Sequence, residues 1–176
     1  MKIIVTGGAG FIGKYLVNYL LDKKNNITIF DNFSNSEENT MKEFIKKGVK
    51  VINGDIRKFE EILKETENQD VLIHLAAKIS VSESFLNPSE TFEVNVDGTK
   101  NVLEACKKNN IKKIIVASSA AVYGEGISKI KLKVNNKLET MKELYNNIVK
   151  FNNKKIFLFC LDSFHFPYKN FVIEAE

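Results

Sequence analysis

The chain has little of what would point away from a plain globular fold. Its two cysteines, Cys106 and Cys160, lie in separate apolar segments without Cys-x-x-Cys spacing. That excludes a disulfide framework or a cysteine-held metal and reads as two buried thiols. Two histidines, His74 and His165, leave a metal site little to work with. Among 26 basic residues there is one arginine, Arg57, and the lysines are scattered among acids and asparagines. The net charge of +4 therefore does not form the clustered arginine surface that reads bases and phosphates, and nucleic acid is not expected as a partner. No stretch approaches the ~20 consecutive apolar residues of a membrane helix, so no membrane partner is expected either. The opening "MKIIV" imitates a signal peptide, but glycine ends its apolar run at once and no cleavage site follows. A cytoplasmic location is expected. There is no internal repeat and, beyond an Asn/Lys bias, no low-complexity linker.

What is present suits one buried core: 176 residues, 44% of them hydrophobic. Short apolar runs recur as "KIIV" (2–5), "ITIF" (27–30), "VKVI" (49–52), "VLIHL" (71–75), "KIIVA" (113–117) and "KIFLF" (155–159). They are β-branched and barely alternate, the pattern of strands covered on both faces of a parallel sheet. Helical patterns lie between them. Ile12, Leu16 and Leu20 recur every fourth residue, and Phe92, Val96, Thr99, Leu103 and Cys106 at intervals of three to four. Asn87 is the expected N-cap of the second of these helices, with Pro88 in its first turn and Glu90 completing a capping box. Alternating strand and helix predicts a doubly wound α/β sheet.

The run Gly7-Gly8-Ala9-Gly10-Phe11-Ile12-Gly13 follows the first strand and opens a helix. A pyrophosphate needs backbone N–H groups unobstructed by Cβ atoms and the positive end of a helix dipole, and this arrangement offers both. Asp31, 24 residues after Gly7, stands where a carboxylate accepts from the adenosine ribose hydroxyls and repels a 2′-phosphate, so NAD is expected rather than NADP. The alternative is that the glycines only let helix and sheet pack closely.

In order along the chain stand "TGGAGFIG" (6–13), "DNFSNS" (31–36), "GDIR" (54–57), "HLAA" (74–77) with "SVSES" (80–84), "NVDGTKNVLEA" (95–105) and "ASSAAVYG" (117–124). Together they resemble the extended short-chain dehydrogenases/reductases, in particular the NAD-dependent epimerase/dehydratase family typified by UDP-glucose 4-epimerase. The resemblance covers residues 1 to about 126. It implies a Rossmann-type doubly wound parallel sheet of about six strands, with NAD across the strands' carboxyl ends. It further implies that Gly7, Gly10, Phe11, Ile12, Gly13, Asp31, Asn32, Ser34, Asp55, Ile56, Leu75, Ala76, Ala77, Asn95 and Ser118 contact the cofactor. Asp55 would accept from the adenine amino group, and Asn95 would sit behind the site as a positioning group. Ser119 would be the catalytic serine, bonded to the sugar oxygen being oxidised. Alternatives stay open: Asp55 as cap of a helix starting near Lys58, Ser118 and Ser119 as a strand end, and His74 as a hydrogen-bonded core residue rather than a base.

Family members carry a Tyr-x-x-x-Lys pair that removes the sugar hydroxyl proton. The chain is expected to lack that motif: in about its place stands "LYNNIVK", where Tyr145 and Lys150 are five apart. About 500° of helical rotation then separates them. Tyr145 is either the catalytic tyrosine or, with Leu138, Met141 and Ile148, part of a helix's buried stripe. Residues 1–161 are expected to form the NAD-binding domain, family-like to about 126 and divergent from 127, with 162–176 an aromatic tail. The family's substrate-binding half is expected to be lacking. Three functions are compatible with this pattern: a nucleotide-sugar epimerase or dehydratase, a non-catalytic NAD-binding module or half-enzyme, and a truncated or frame-shifted product. The resemblance also implies a nucleotide-diphosphate sugar as ligand, and association as a homodimer or with a partner chain that supplies the substrate half.

Overall fold

The computed structural model describes residues 1–119, 156–161 and 171–173. These fall into two units, Met1–Ile114 and Ile115–Glu176. In the first, β1 (Lys2–Thr6) leads to α1 (Phe11–Asp22) and β2 (Asn26–Asp31). A 3₁₀ turn (Glu38–Met41) and α2 (Lys42–Lys46) connect to β3 (Lys50–Asn53), and α3 (Phe59–Glu65) to β4 (Val71–His74). Then come α4 (Val81–Leu86), α5 (Pro88–Phe92), a π-helical turn (Glu93–Gly98), α6 (Thr99–Lys108) and the start of β5 (Lys113–Ser119). Each of these five strands falls on an apolar run of the sequence.

The strand order is β3-β2-β1-β4-β5. β1 pairs in parallel with β2 (Ile3 beside Ile27, Thr6 beside Phe30) and with β4 (Ile3 beside Val71, Thr6 beside His74), and β2 pairs in parallel with β3. The chain thus leaves β1 toward one edge, returns, and continues on β1's other side. That reversal defines the switch point of a Rossmann-like fold, the place where such sheets bind ligands. Ile3, Ile4 and Val5 of β1, Ile27, Ile29 and Phe30 of β2, and Val71, Leu72 and Ile73 of β4 are all buried, consecutive residues included. Helices therefore cover both faces, and each large apolar side chain so enclosed contributes about 2 kcal/mol.

Helix phase departs from expectation in two places. On α1 the buried residues are Gly13 and Val17, and Ile12 is 47% exposed. Gly13 lies so close to the preceding turn that a Cβ there would stand 2.6 Å from the Gly7 carbonyl oxygen, which rolls the helix inward on Gly13 rather than on the Ile12–Leu16–Leu20 stripe. In the second helix the π turn adds a residue to one revolution and shifts the face. Phe92 before it is 55% exposed, whereas Val102, Leu103, Ala105 and Cys106 after it are buried. Asn87 and Pro88 hold the expected N-cap and first-turn positions, but the Asn87 side chain makes no cap hydrogen bond, and Glu90 accepts from Lys78 Nζ at 2.9 Å instead of completing a capping box. A side-chain cap is made one helix earlier, where Ser80 Oγ accepts from the Glu83 N–H.

The second unit contains β6 (Ile156–Leu161), which matches the sixth apolar run, and β7 (Phe171–Ile173), which pairs antiparallel with β6. β7 falls in the segment expected to be an aromatic tail, and the expected domain end at residue 161 lies within this unit.

Candidate functional site

The carboxyl ends of β1, β2 and β4 converge where the chain reverses. β1 ends at Thr6, and Gly7 follows with a left-handed φ of +70°, a conformation that glycine takes without penalty. Its N–H donates to the Phe30 carbonyl at 2.9 Å, tying the turn to β2. A Cβ on Gly7 would stand 2.6 Å from the Ala76 nitrogen. Gly7 and Gly13 are thus required for close packing. Gly10 differs: it is the N-cap of α1, supplies no side-chain cap, and is followed by a first turn without an acid. That leaves the positive end of a twelve-residue helix open to an anion. Phe11, the first residue of that helix, is 80% exposed.

Asp31 at the end of β2 is pinned by the turn it faces. One carboxylate oxygen accepts from the Ala9 N–H at 3.0 Å and the other from the Phe33 N–H at 2.9 Å. Each oxygen keeps capacity for a further donor such as a ribose hydroxyl. Asn32 Oδ1 accepts from the Ser34 N–H, which folds the segment after β2 back on itself. Beside this turn a cleft of about 540 Å³ opens between α1 and α2, lined among others by Gly10, Phe11, Lys14, Asn35, Ser36 and Lys47.

At the end of β3, the Gly54 N–H donates to the Asp31 carbonyl, bringing Asp55 next to the same edge. The Asp55 carboxylate accepts from the Arg57 backbone N–H at 2.9 Å and from its guanidinium. Partial burial pushes Asp55 upward, but hydrogen bonds and charge from Arg57, with a hydrogen bond from Asn32, outweigh it and hold the carboxyl below its usual range. It does not cap α3, whose N-cap is Lys58 without a side-chain bond. Ile56 is buried and fills the space beside Gly98, where a Cβ would stand 2.7 Å from its Cδ1.

At the end of β4, the Leu75 N–H makes the last ladder bond, to the Thr6 carbonyl at 2.9 Å. Leu75 and Ala76 are half-buried and Ala77 is exposed. Asn95 Oδ1 accepts from the Lys78 N–H at 2.8 Å, and its Nδ2 donates to the Lys78 carbonyl at 2.9 Å. Its amide thus grips the loop backbone. His74 is 4% exposed, with Nδ1 2.6 Å from Thr6 Oγ1 and Nε2 2.9 Å from Thr99 Oγ1. Burial pushes it down to about 4, so it is a neutral, hydrogen-bonded core residue.

Gly7, Gly10, Gly13, Asp31, Asn32, Asp55 and Leu75–Ala77 are therefore gathered at one end of the sheet. Ser118 and Ser119 end β5 in the second unit, with only their backbone described. Tyr145, Lys150, Tyr123 and His165 lie outside the described residues. A Tyr-x-x-x-Lys spacing does occur elsewhere, at Tyr19 and Lys23 on the outer side of α1. There Tyr19 is 60% exposed, and Lys23 Nζ lies 5.5 Å from its ring centroid. Thr6 and Thr99 escape a sequence reading, although a polar residue ending the apolar run "IIVT" beside "VLIH" is a signal that parallel register makes visible. Among the described residues no group of three or more His, Cys, Asp or Glu could hold a metal ion, and no helix is long and apolar enough to cross a membrane.

A glycine turn, an open helix N-terminus and an acid closing the second strand, all at the switch point of a parallel sheet, are arranged as in dinucleotide-binding domains. Residues 3–146 match the family described as the NAD dependent epimerase/dehydratase family, and the chain belongs to it. It is 38% identical over 133 residues to a bifunctional UDP-glucose 4-epimerase and UDP-xylose 4-epimerase of Pisum sativum, across 70% of this chain and 38% of the relative. To a UDP-glucose 4-epimerase of Halalkalibacterium halodurans it is 36% identical over 129 residues, across 72% of this chain and 37% of the relative. Among solved structures, the UDP-glucose 4-epimerase of Thermus thermophilus in complex with NAD superposes with a TM-score of 0.73 at 28% identity, covering 89% of this chain and 53% of that one. The chain spans about two fifths of the length of these two curated relatives.

Proposed function

We propose that this chain binds NAD across the carboxyl ends of β1, β2 and β4 and serves the hydride chemistry of a nucleotide-sugar 4-epimerase or dehydratase. The observation that carries this reading is the α1 N-terminus left open at Gly10, with the Asp31 carboxylate fixed beside it. The N–H groups of Phe11 and Ile12 take the pyrophosphate, and Asp31 takes the ribose hydroxyls, with Asn32 and Ser34 alongside. Asp55 accepts from the adenine amino group, Ile56 backs the adenine, and Leu75, Ala76 and Ala77 admit the dinucleotide close to the backbone. Ser118 borders the nicotinamide end, and Ser119 hydrogen-bonds the sugar oxygen. When bound, NAD supplies an acceptor that takes a hydride from the sugar ring and returns it. Residues 1–161 form the cofactor-binding domain in this reading, in the cytoplasm, and the ligand is a UDP-sugar of the kind the relatives are named for.

A second reading is favoured by the Tyr145–Lys150 spacing: an NAD-binding module or half-enzyme whose chemistry needs a partner chain. One experiment separates the two. NAD is titrated into the purified chain, and proton NMR then follows the anomeric signals of added UDP-glucose. Saturable NAD binding with new UDP-galactose signals supports the epimerase, and binding without turnover supports the module. No binding at all defeats both.

A further inference from the structure

The Thr6–His74–Thr99 contacts take their direction from the bond that the Thr99 hydroxyl makes to the helix backbone. Thr99 has one hydroxyl proton, and it donates to the Asn95 carbonyl at 2.8 Å. The Thr99 oxygen is then left to accept, so His74 Nε2, 2.9 Å away, carries the ring proton. His74 Nδ1 consequently accepts, and the Thr6 hydroxyl 2.6 Å from it donates. Among the described residues no carboxylate or cation takes part, as suits a ring that is 4% exposed.

The chain of bonds does not stop at the ring. Thr99 holds the carbonyl of Asn95 inside the π turn, and the Asn95 side chain holds both backbone groups of Lys78. After the ladder bond at Leu75, that double grip anchors the segment leaving the sheet. The segment has no slack on its other side, since Ala76 nitrogen lies 2.6 Å from where a Cβ on Gly7 would be. We propose that His74, as the neutral Nε2–H tautomer, is a positioning residue: it straps the end of β1 to the π turn and, through Thr99 and Asn95, fixes residues 75–78 against the glycine turn. The effect on cofactor affinity rests on the NAD reading above. The strap itself does not.

Two measurements test it on the full chain. The ¹⁵N shifts of the His74 ring, distinguished from His165 by a His165→Gln variant, report the tautomer. A bare Nδ1 and a protonated Nε2 are expected, and the opposite tautomer or a charged ring overturns the assignment. Thr99→Val removes the acceptor for Nε2–H and the donor to Asn95, whereas Thr99→Ser keeps both. Hydrogen exchange at the Lys78 amide is expected to run about tenfold faster in Thr99→Val than in wild type, with Thr99→Ser within about twofold and the β1–β4 ladder amides unmoved. Equal acceleration at all these amides would mean that Thr99 supports only global stability, and equal behaviour of the two variants would mean the hydroxyl does nothing. Either sinks the positioning role. If Thr99→Val does not fold, the ring shifts and the Thr99→Ser exchange decide it, a loss of Lys78 protection in Thr99→Ser counting against it. NAD affinity measured alongside is expected to fall about tenfold in Thr99→Val and recover in Thr99→Ser. Failure of the wild type to bind NAD defeats the cofactor reading, while exchange still decides the strap.

Discussion

The two ends of the candidate site are held by different physics. At the β2–β3 end the contacts are charged and local. The Asp31 carboxylate accepts from Phe33 and the Asp55 carboxylate from Arg57, each two residues on, while Ala9 reaches the Asp31 carboxylate and Asn32 the Asp55 carboxylate from farther along the chain. At the β4 end the contacts are neutral, wholly or partly buried and remote in sequence: His74 meets Thr6 across 68 residues and Thr99 across 25, and Asn95 meets Lys78 across 17. Charges tolerate water and can stand at an exposed cofactor edge. Neutral bonds in a dry site keep their geometry only while every partner is in place, because an orphaned polar group there is costly. The first end can be adjusted residue by residue, and the second works as a unit.

The largest effect is expected where the two ends touch. Gly7→Val should destabilise the domain by about 3 kcal/mol or more, combining a left-handed backbone with a Cβ driven into Ala76. Denaturant unfolding would read it, and a loss under about 1 kcal/mol would show that the turn and residues 75–78 can separate. Next comes the pH dependence of the buried strap. His74 ordinarily titrates near 6.5, and burial lowers it to about 4 when folded. Between those values the unfolded chain binds the proton that the folded chain refuses. The stability His74 contributes is thus complete above about pH 6.5 and is lost as pH falls toward 4, a change of about 3 kcal/mol. The difference between the wild-type and His74→Gln unfolding curves over that window isolates it from carboxylates titrating nearby. Parallel curves would break the comparison, for the strap would then admit charge.

That contrast explains how much could be read beforehand. The strands β1 to β5, the glycine turn and Asp31 are written in short-range patterns: apolar runs, a G-x-x-G spacing, an acid closing a strand. The roll of α1 onto Gly13 and Val17 was not legible, because it depends on how closely Gly13 approaches Gly8 across the turn. The Asn87–Glu90 capping box failed for a related reason: a lysine from the β4 loop, twelve residues away in sequence, takes the Glu90 carboxylate. The π turn carries no period of its own to detect. His74 could be read as a core residue from its apolar strand, but its partners Thr6 and Thr99 become visible only once parallel register places the ends of β1 and β4 side by side.

Asp31→Ala sharpens the local end of the comparison. It removes the acceptor for the Ala9 and Phe33 N–H groups and, in the NAD reading, for the ribose. NAD affinity should fall by about 2 kcal/mol, roughly thirtyfold, with a smaller loss of stability. Calorimetric titration of wild type and variant checks this, and equal affinities would remove Asp31 from the site.

The smallest effect is expected where a charge sits at the neutral end. Lys78 Nζ donates to Glu90 at 2.9 Å. A hydrogen bond from Lys78 lowers Glu90, and the reciprocal bond raises Lys78. The Glu90 side chain is 41% exposed, so water screens the pair and competes for both partners. Glu90→Gln should shift the melting midpoint by no more than about 2 °C. It should also leave Lys78 amide exchange within about twofold of wild type, because the backbone there is held by the Asn95 amide and not by the ion pair. Exchange faster by tenfold or more would mean that residues 75–78 are fixed from the surface, and the division between a charged end and a neutral one would have to be given up.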